Sequence, residues 1–181
     1  IPMGSGGLLV SIWKGLNELL KAKIIEKLPK IVGVQSSVLA PIVNTFNEIY
    51  TKGNKANDFK SYASGILVRN PKFKDLAIKA IKQSKGEALS VPENLMLTAT
   101  EELARNEGLL VEPASALTLA GLEILLQENQ IDKNEKIVSI ITGSGLKTPY
   151  VLEALSTRTK TAGMGILSTK LKILSHPSVS S

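Results

Sequence analysis

Ile1-Pro2-Met3-Gly4-Ser5-Gly6-Gly7 opens the chain, and Leu8, Leu9, Ile12, Leu16, Leu19 and Leu20 follow at helical spacing. Apolar residues, a glycine run and then an amphipathic pattern read as a strand, a tight loop and a helix over about 7–23. Where a parallel strand feeds a helix in this way, the helix's first N–H groups and its dipole converge on the loop, and glycines let an anion come close. Gly4, Ser5, Gly6 and Gly7 leave two readings open: a phosphate cradle, or an ordinary packing turn. With almost nothing before the loop, we expect a chain cut inside a domain.

The same alternation continues downstream. Pro29 breaks the chain, and Ile31-Val32-Gly33-Val34 is a short apolar run of the kind buried parallel strands use. Pro41 opens a helix over about 39–50, and the polar stretch 51–58 is a loop. Pro71 begins a helix over about 71–84 with Phe73, Leu76, Ala77, Ala80 and Ile81 on its apolar face and Gly86 as its stop. Residues 87–91 read as a strand, Pro92 leads a helix to about Asn106, and Pro113 leads another to about Glu128. Lys136-Ile137-Val138-Ser139-Ile140-Ile141 is apolar and β-branched, hence a strand. Strands alternating with helices of this length predict an α/β fold, an open parallel sheet with helices on both faces in three layers. Residues 1–155 form that body, and 156–181 form a basic, Ser/Thr-rich tail, either poorly packed or the start of a truncated appended element.

Composition narrows the chemistry. The 181 residues are 43% hydrophobic and 21% charged, which supports a buried core and excludes wholesale disorder. With no cysteine and with His176 as the single histidine, thiolate zinc sites, disulfide scaffolds and a Ser/His/Asp triad in the folded body are excluded. No run reaches the length of a membrane span, and no secretory pattern is present, so the chain reads as soluble and cytoplasmic. The net charge is +6, but aromatics are 4% and the lysines are scattered, which argues against a nucleic-acid partner.

Three segments bear on function. The glycine loop lacks the Gly-Lys-Ser/Thr ending of a P-loop, and the second strand ends at Gln35 rather than at the acid a dinucleotide site requires. Thr142-Gly143-Ser144-Gly145-Leu146-Lys147 follows the last strand, at the carboxyl end where ligands of open parallel sheets bind, although a tight turn explains it equally. Glu112-Pro113-Ala114-Ser115-Ala116 sets an acid and a hydroxyl at a helix start, where capping is the simplest role.

Taken in order, the segments 2–7, Ile12-Trp13-Lys14-Gly15, Val32-Gly33-Val34-Gln35, 108–116 and 142–147 resemble threonine synthase, a pyridoxal-phosphate enzyme of fold type II, over about residues 1–150. The resemblance implies part of a large cofactor-binding domain. In it Gly4, Ser5, Gly6, Gly7 and Leu8 hold the cofactor phosphate, Thr142 presents a hydroxyl to the pyridine nitrogen, and Glu112 and Ser115 lie close to the cofactor. It further implies a homodimer and conversion of O-phosphohomoserine and water to threonine and phosphate. Two departures accompany it. Ser5 and Leu8 stand where synthases usually carry asparagines, which brings the loop closer to the dehydratases. No lysine has the setting of the family's Schiff-base lysine, Lys147 included, so the chain alone is expected to be inactive. A dehydratase-like enzyme portion and a non-catalytic module holding a phosphorylated small molecule are the alternatives.

Overall fold

A computed structural model of the chain describes residues 1–49, 60–132 and 134–156. Its centre is a parallel pair, β1 (Gly33–Ser36) and β2 (Ala88–Val91), in the register Gly33 to Ala88 through Ser36 to Val91. Residues 1–3 extend the sheet beyond β1, with the Val34 N–H donating to Ile1 O at 2.9 Å and the Met3 N–H to Val34 O at 2.8 Å. The spatial order is therefore segment 1–3, β1, β2, all parallel. Every residue of β1 is buried, as expected of a strand covered on both faces.

Alternation along the strands sorts the helices into two outer layers. Met3, Ile31 and Ala88 face α1 (Gly7–Lys21), α2 (Pro41–Phe46) and α3 (Lys74–Gln83) in one apolar cluster. Val34 and Val91 face α4 (Glu93–Asn106) and α5 (Pro113–Gln127) in the other, which also holds Ala63 and the flank of Ile66 in a short 3₁₀ turn, Ser64–Ile66. A second 3₁₀ turn, Gly145–Lys147, leads into α6 (Pro149–Ser156). The three-layer arrangement expected from the sequence is present, in partial form.

Several expectations shift. The buried stripe of α1 is Leu9, flanked by Val10, Trp13 and Leu16, while Leu8 and Leu19 are exposed, so the inward face is rotated from the one drawn by counting leucines. In α3, Ala77, Ala80 and Ile81 go inward, but Leu76 and, just before the helix, Phe73 remain exposed. The larger correction is the run 136–141, which joins no ladder among the described residues and leaves Val138 81% exposed. A β-branched run has the local preference for a strand, but strand structure needs a neighbour's N–H and C=O groups, and the short sheet does not reach it. The loop 51–58 and the tail from residue 157 lie outside the described residues.

Candidate functional site

The glycine loop enters α1 through Gly6, whose φ of +87° suits glycine. A Cβ there would lie 3.2 Å from the Phe73 carbonyl oxygen and from the Ala77 Cβ, and a Cβ on Gly4 would lie 3.2 Å from the Ile66 Cα. Packing therefore accounts for part of the glycine pattern. What packing leaves over is the start of α1: it has no side-chain cap and no acid in its first turn, and the Gly7 N–H reaches only the Ser5 hydroxyl at 3.4 Å. Uncapped amides at the positive end of a helix dipole, with no acid in that turn, fit a phosphate dianion.

The second group forms around the start of α5. Ser115, fully buried, accepts through its Oγ from the Thr142 N–H at 2.8 Å and the Gly143 N–H at 3.0 Å. The same Oγ lies 2.8 Å from the Thr142 Oγ1. With two amides already donating to it, Ser115 directs its own proton to Thr142, whose hydroxyl then donates to a Glu112 carboxylate oxygen at 3.2 Å. Glu112 is the N-cap residue of α5, its carbonyl accepting from the Ser115 N–H at 2.9 Å and the Ala116 N–H at 3.2 Å, but its side chain makes no cap hydrogen bond. Its carboxylate turns instead toward Thr142, and a Cβ on Gly143 would overlap it. The Glu112 N–H donates to Gly143 O at 3.0 Å and the Gly145 N–H to Leu110 O at 2.9 Å, so backbone as well as side chains fastens the late turn onto α5.

Thr142 is thus an exposed, neutral hydroxyl whose longest contact is the one it donates, and a ring nitrogen acceptor can take that proton in place of Glu112. No hydrogen bond joins the loop 4–7 to Thr142 among the described residues. The link between them is the segment 61–66: Ile66 backs Gly4, and Tyr62 and Ile66 pack into the cluster that holds Ala114 and Ala116 of α5. That segment is pinned by a residue the sequence reading passed over. Glu93 accepts from the Ser36 Oγ at 2.6 Å, the Ser61 Oγ at 2.7 Å and the Tyr62 N–H at 2.8 Å. Its donors are 57, 32 and 31 residues away in the chain, and no local spacing announces such a meeting. Two surface depressions, of about 410 and 250 Å³, are lined by neither half of the site. No group of three or more potential metal ligands, and no helix long and apolar enough to cross a membrane, occurs among the described residues.

A family model described as pyridoxal-phosphate dependent enzyme matches residues 1–143, from the glycine loop through Thr142 and Gly143. The chain is 41% identical over 155 residues to the threonine synthase of Methanocaldococcus jannaschii, covering 82% of this chain and 37% of that protein. It is 36% identical over 152 residues to the threonine synthase of Methanosarcina acetivorans, covering 84% and 38%. It thus spans under half the length of these curated relatives. Among solved structures, a fungal L-serine ammonia-lyase from Rhizomucor miehei superposes with a TM-score of 0.63 at 16% identity, covering 84% of this chain and 48% of that one. A threonine deaminase from T.th. superposes at 0.53 with 20% identity, covering 71% and 42%. At those identities the likeness concerns the fold alone. On the match of its own length to the family, this chain belongs to the pyridoxal-phosphate dependent enzymes.

Proposed function

We propose that residues 1–155 supply the cofactor-holding part of a threonine synthase-type enzyme, which converts O-phosphohomoserine and water to threonine and phosphate. The observation that carries the reading is the pairing of an uncapped, acid-free helix start at residues 4–8 with a buried serine that presents the Thr142 hydroxyl, within a stretch 41% identical to a threonine synthase. In this reading the first-turn amides of α1 and Ser5 hold the cofactor phosphate, Thr142 meets the pyridine nitrogen, and Ser115 and Glu112 orient Thr142. The cofactor, when bound, draws electrons away from the substrate carbon that bears the amino group. A hydroxyl partner leaves the ring less electron-withdrawing than a carboxylate would, which suits elimination and replacement at the side-chain carbons. Glu112 keeps the Thr142 proton on the ligand-facing side until an acceptor arrives. The chain acts as part of a cytoplasmic homodimer, and alone it is inactive because none of its lysines has the setting that condenses with the cofactor aldehyde.

Leu8 favours a second reading, a dehydratase. It is 42% exposed at the helix start, where a polar side chain would help hold a substrate phosphate, and losing such a charge-assisted contact costs roughly 1.5–3 kcal/mol. The test is a chimera in which this chain replaces its matching portion of the Methanocaldococcus jannaschii threonine synthase. Given O-phosphohomoserine it is expected to release phosphate; given threonine it is expected to form no 2-oxobutanoate. The reverse outcome assigns the dehydratase reaction.

A further inference from the structure

The strand end at Gln35, where a dinucleotide enzyme would carry an acid, does different work here. Gln35 is completely buried, sent by the alternation of β1 to the α1–α3 side of the sheet. Its Oε1 accepts from the Ile42 N–H at 2.9 Å and the Val43 N–H at 3.1 Å, and its Nε2 donates to Met3 O at 3.2 Å. The first two bonds replace the side-chain cap that α2 lacks at Ala40. The third reaches the peptide that joins Met3 to Gly4. Because that peptide is planar and trans, holding the Met3 carbonyl also sets the direction of the Gly4 N–H on its opposite side. The Met3 N–H is held in turn by Val34 O at 2.8 Å, so the residue before the glycine loop is clamped at both of its backbone groups.

We propose that Gln35 is the positioning residue of the glycine loop: through the Met3 carbonyl it sets the entry of residues 4–7 and ties the loop to the start of α2. The proposal rests on the reading of that loop as the phosphate holder. The residue type follows from the bonds. A primary amide both donates to a carbonyl and accepts from two amides at this reach without depending on pH; an ionised carboxylate would face Met3 O without a proton, and an apolar isostere would satisfy none of the three. None of the residues bonded to Gln35 carries a titratable side chain.

The experiment uses the 181-residue chain with pyridoxal phosphate and inorganic phosphate as probes, followed by quenching of its single tryptophan, Trp13. Gln35→Met is compared with Val43→Ala, which trims a buried α2 side chain and leaves the Met3 contact intact. Both variants are expected to melt at lower temperature. At a temperature where both are folded, only Gln35→Met should weaken the two probes, by about tenfold, and only it should speed exchange of the Phe73 and Val10 amides, which donate to Ser5 O and Gly6 O of the loop. Equal affinity in the two variants, or unchanged exchange of the Phe73 and Val10 amides, overturns the proposal. If the unmodified chain binds neither probe, the phosphate reading of the loop fails, and the role of Gln35 is decided by the exchange of those amides alone. Should Gln35→Met not fold, Gln35→Glu at alkaline pH keeps the acceptor for α2, removes the donor for Met3, and supplies the same comparison.

Discussion

Ser115 is the residue on which the late turn depends, because one buried oxygen satisfies two backbone amides and orients the Thr142 hydroxyl. Ser115→Ala is expected to lower stability by about 1–3 kcal/mol, the usual cost of stranding polar groups, measured by urea unfolding. Gly143 gives a sharper test of the same cluster. Gly143→Ala places a methyl on the Glu112 carboxylate, an overlap of the kind that costs about 1–3 kcal/mol. Removing that carboxylate by Glu112→Ala relieves it, so the double variant should lose less than the two single losses added. Strictly additive losses would show that Gly143 serves some other purpose.

At the scale of elements, α4 and α5 meet through a pair of carboxyl groups. Burial first, then the charge and hydrogen bond of Glu102, push the Glu123 carboxyl above its ordinary 4.5. A raised folded value means that the native state holds this proton more tightly than the unfolded chain does, so stability falls as pH rises from about 4.5 through the raised value. Glu123→Gln should therefore melt higher than the unmodified protein at neutral pH, with the difference vanishing below the ordinary range. The gain is small, since the group is only partly buried and salt screens it. A melting difference that stays constant from acid to neutral pH would assign the effect to something other than this carboxyl pair.

For the whole molecule, the run 136–141 is the apolar, β-branched segment that joins no ladder among the described residues. Its amides are expected to exchange quickly in the isolated chain, and to become protected in the chimera with the longer relative. Persistent fast exchange in an active chimera would mean that this run serves no sheet. Mixing the isolated chain with pyridoxal phosphate and then borohydride should leave no single lysine modified in stoichiometric yield, as read by peptide mapping. One uniquely modified lysine would overturn the view that the condensing residue lies outside these 181 residues.

Local chemistry made much of this protein legible from residues alone. The glycine loop, Pro41, Pro113 and the alternation of strands with helices depend on neighbours within a few positions, so the layered α/β plan and the loop at the start of α1 could be read directly; the expected Gly86 stop is instead a left-handed Lys85, and Gly86 is where Ile31 approaches too closely for a Cβ. The order of five short motifs carried the family and its cofactor. Other features depended on residues far apart in the chain. The run 136–141 has strand composition but no partner in reach among the described residues, Glu112 stands at the cap of α5 yet sends its carboxylate to Thr142, and Glu93 gathers three donors from distant segments. Gln35 passed as a strand end in the sequence, and only the fold places its amide against Met3 and α2. Hydrogen bonds of this kind are decided by which buried groups are left without a partner once the layers pack, and that is a property of the assembled molecule.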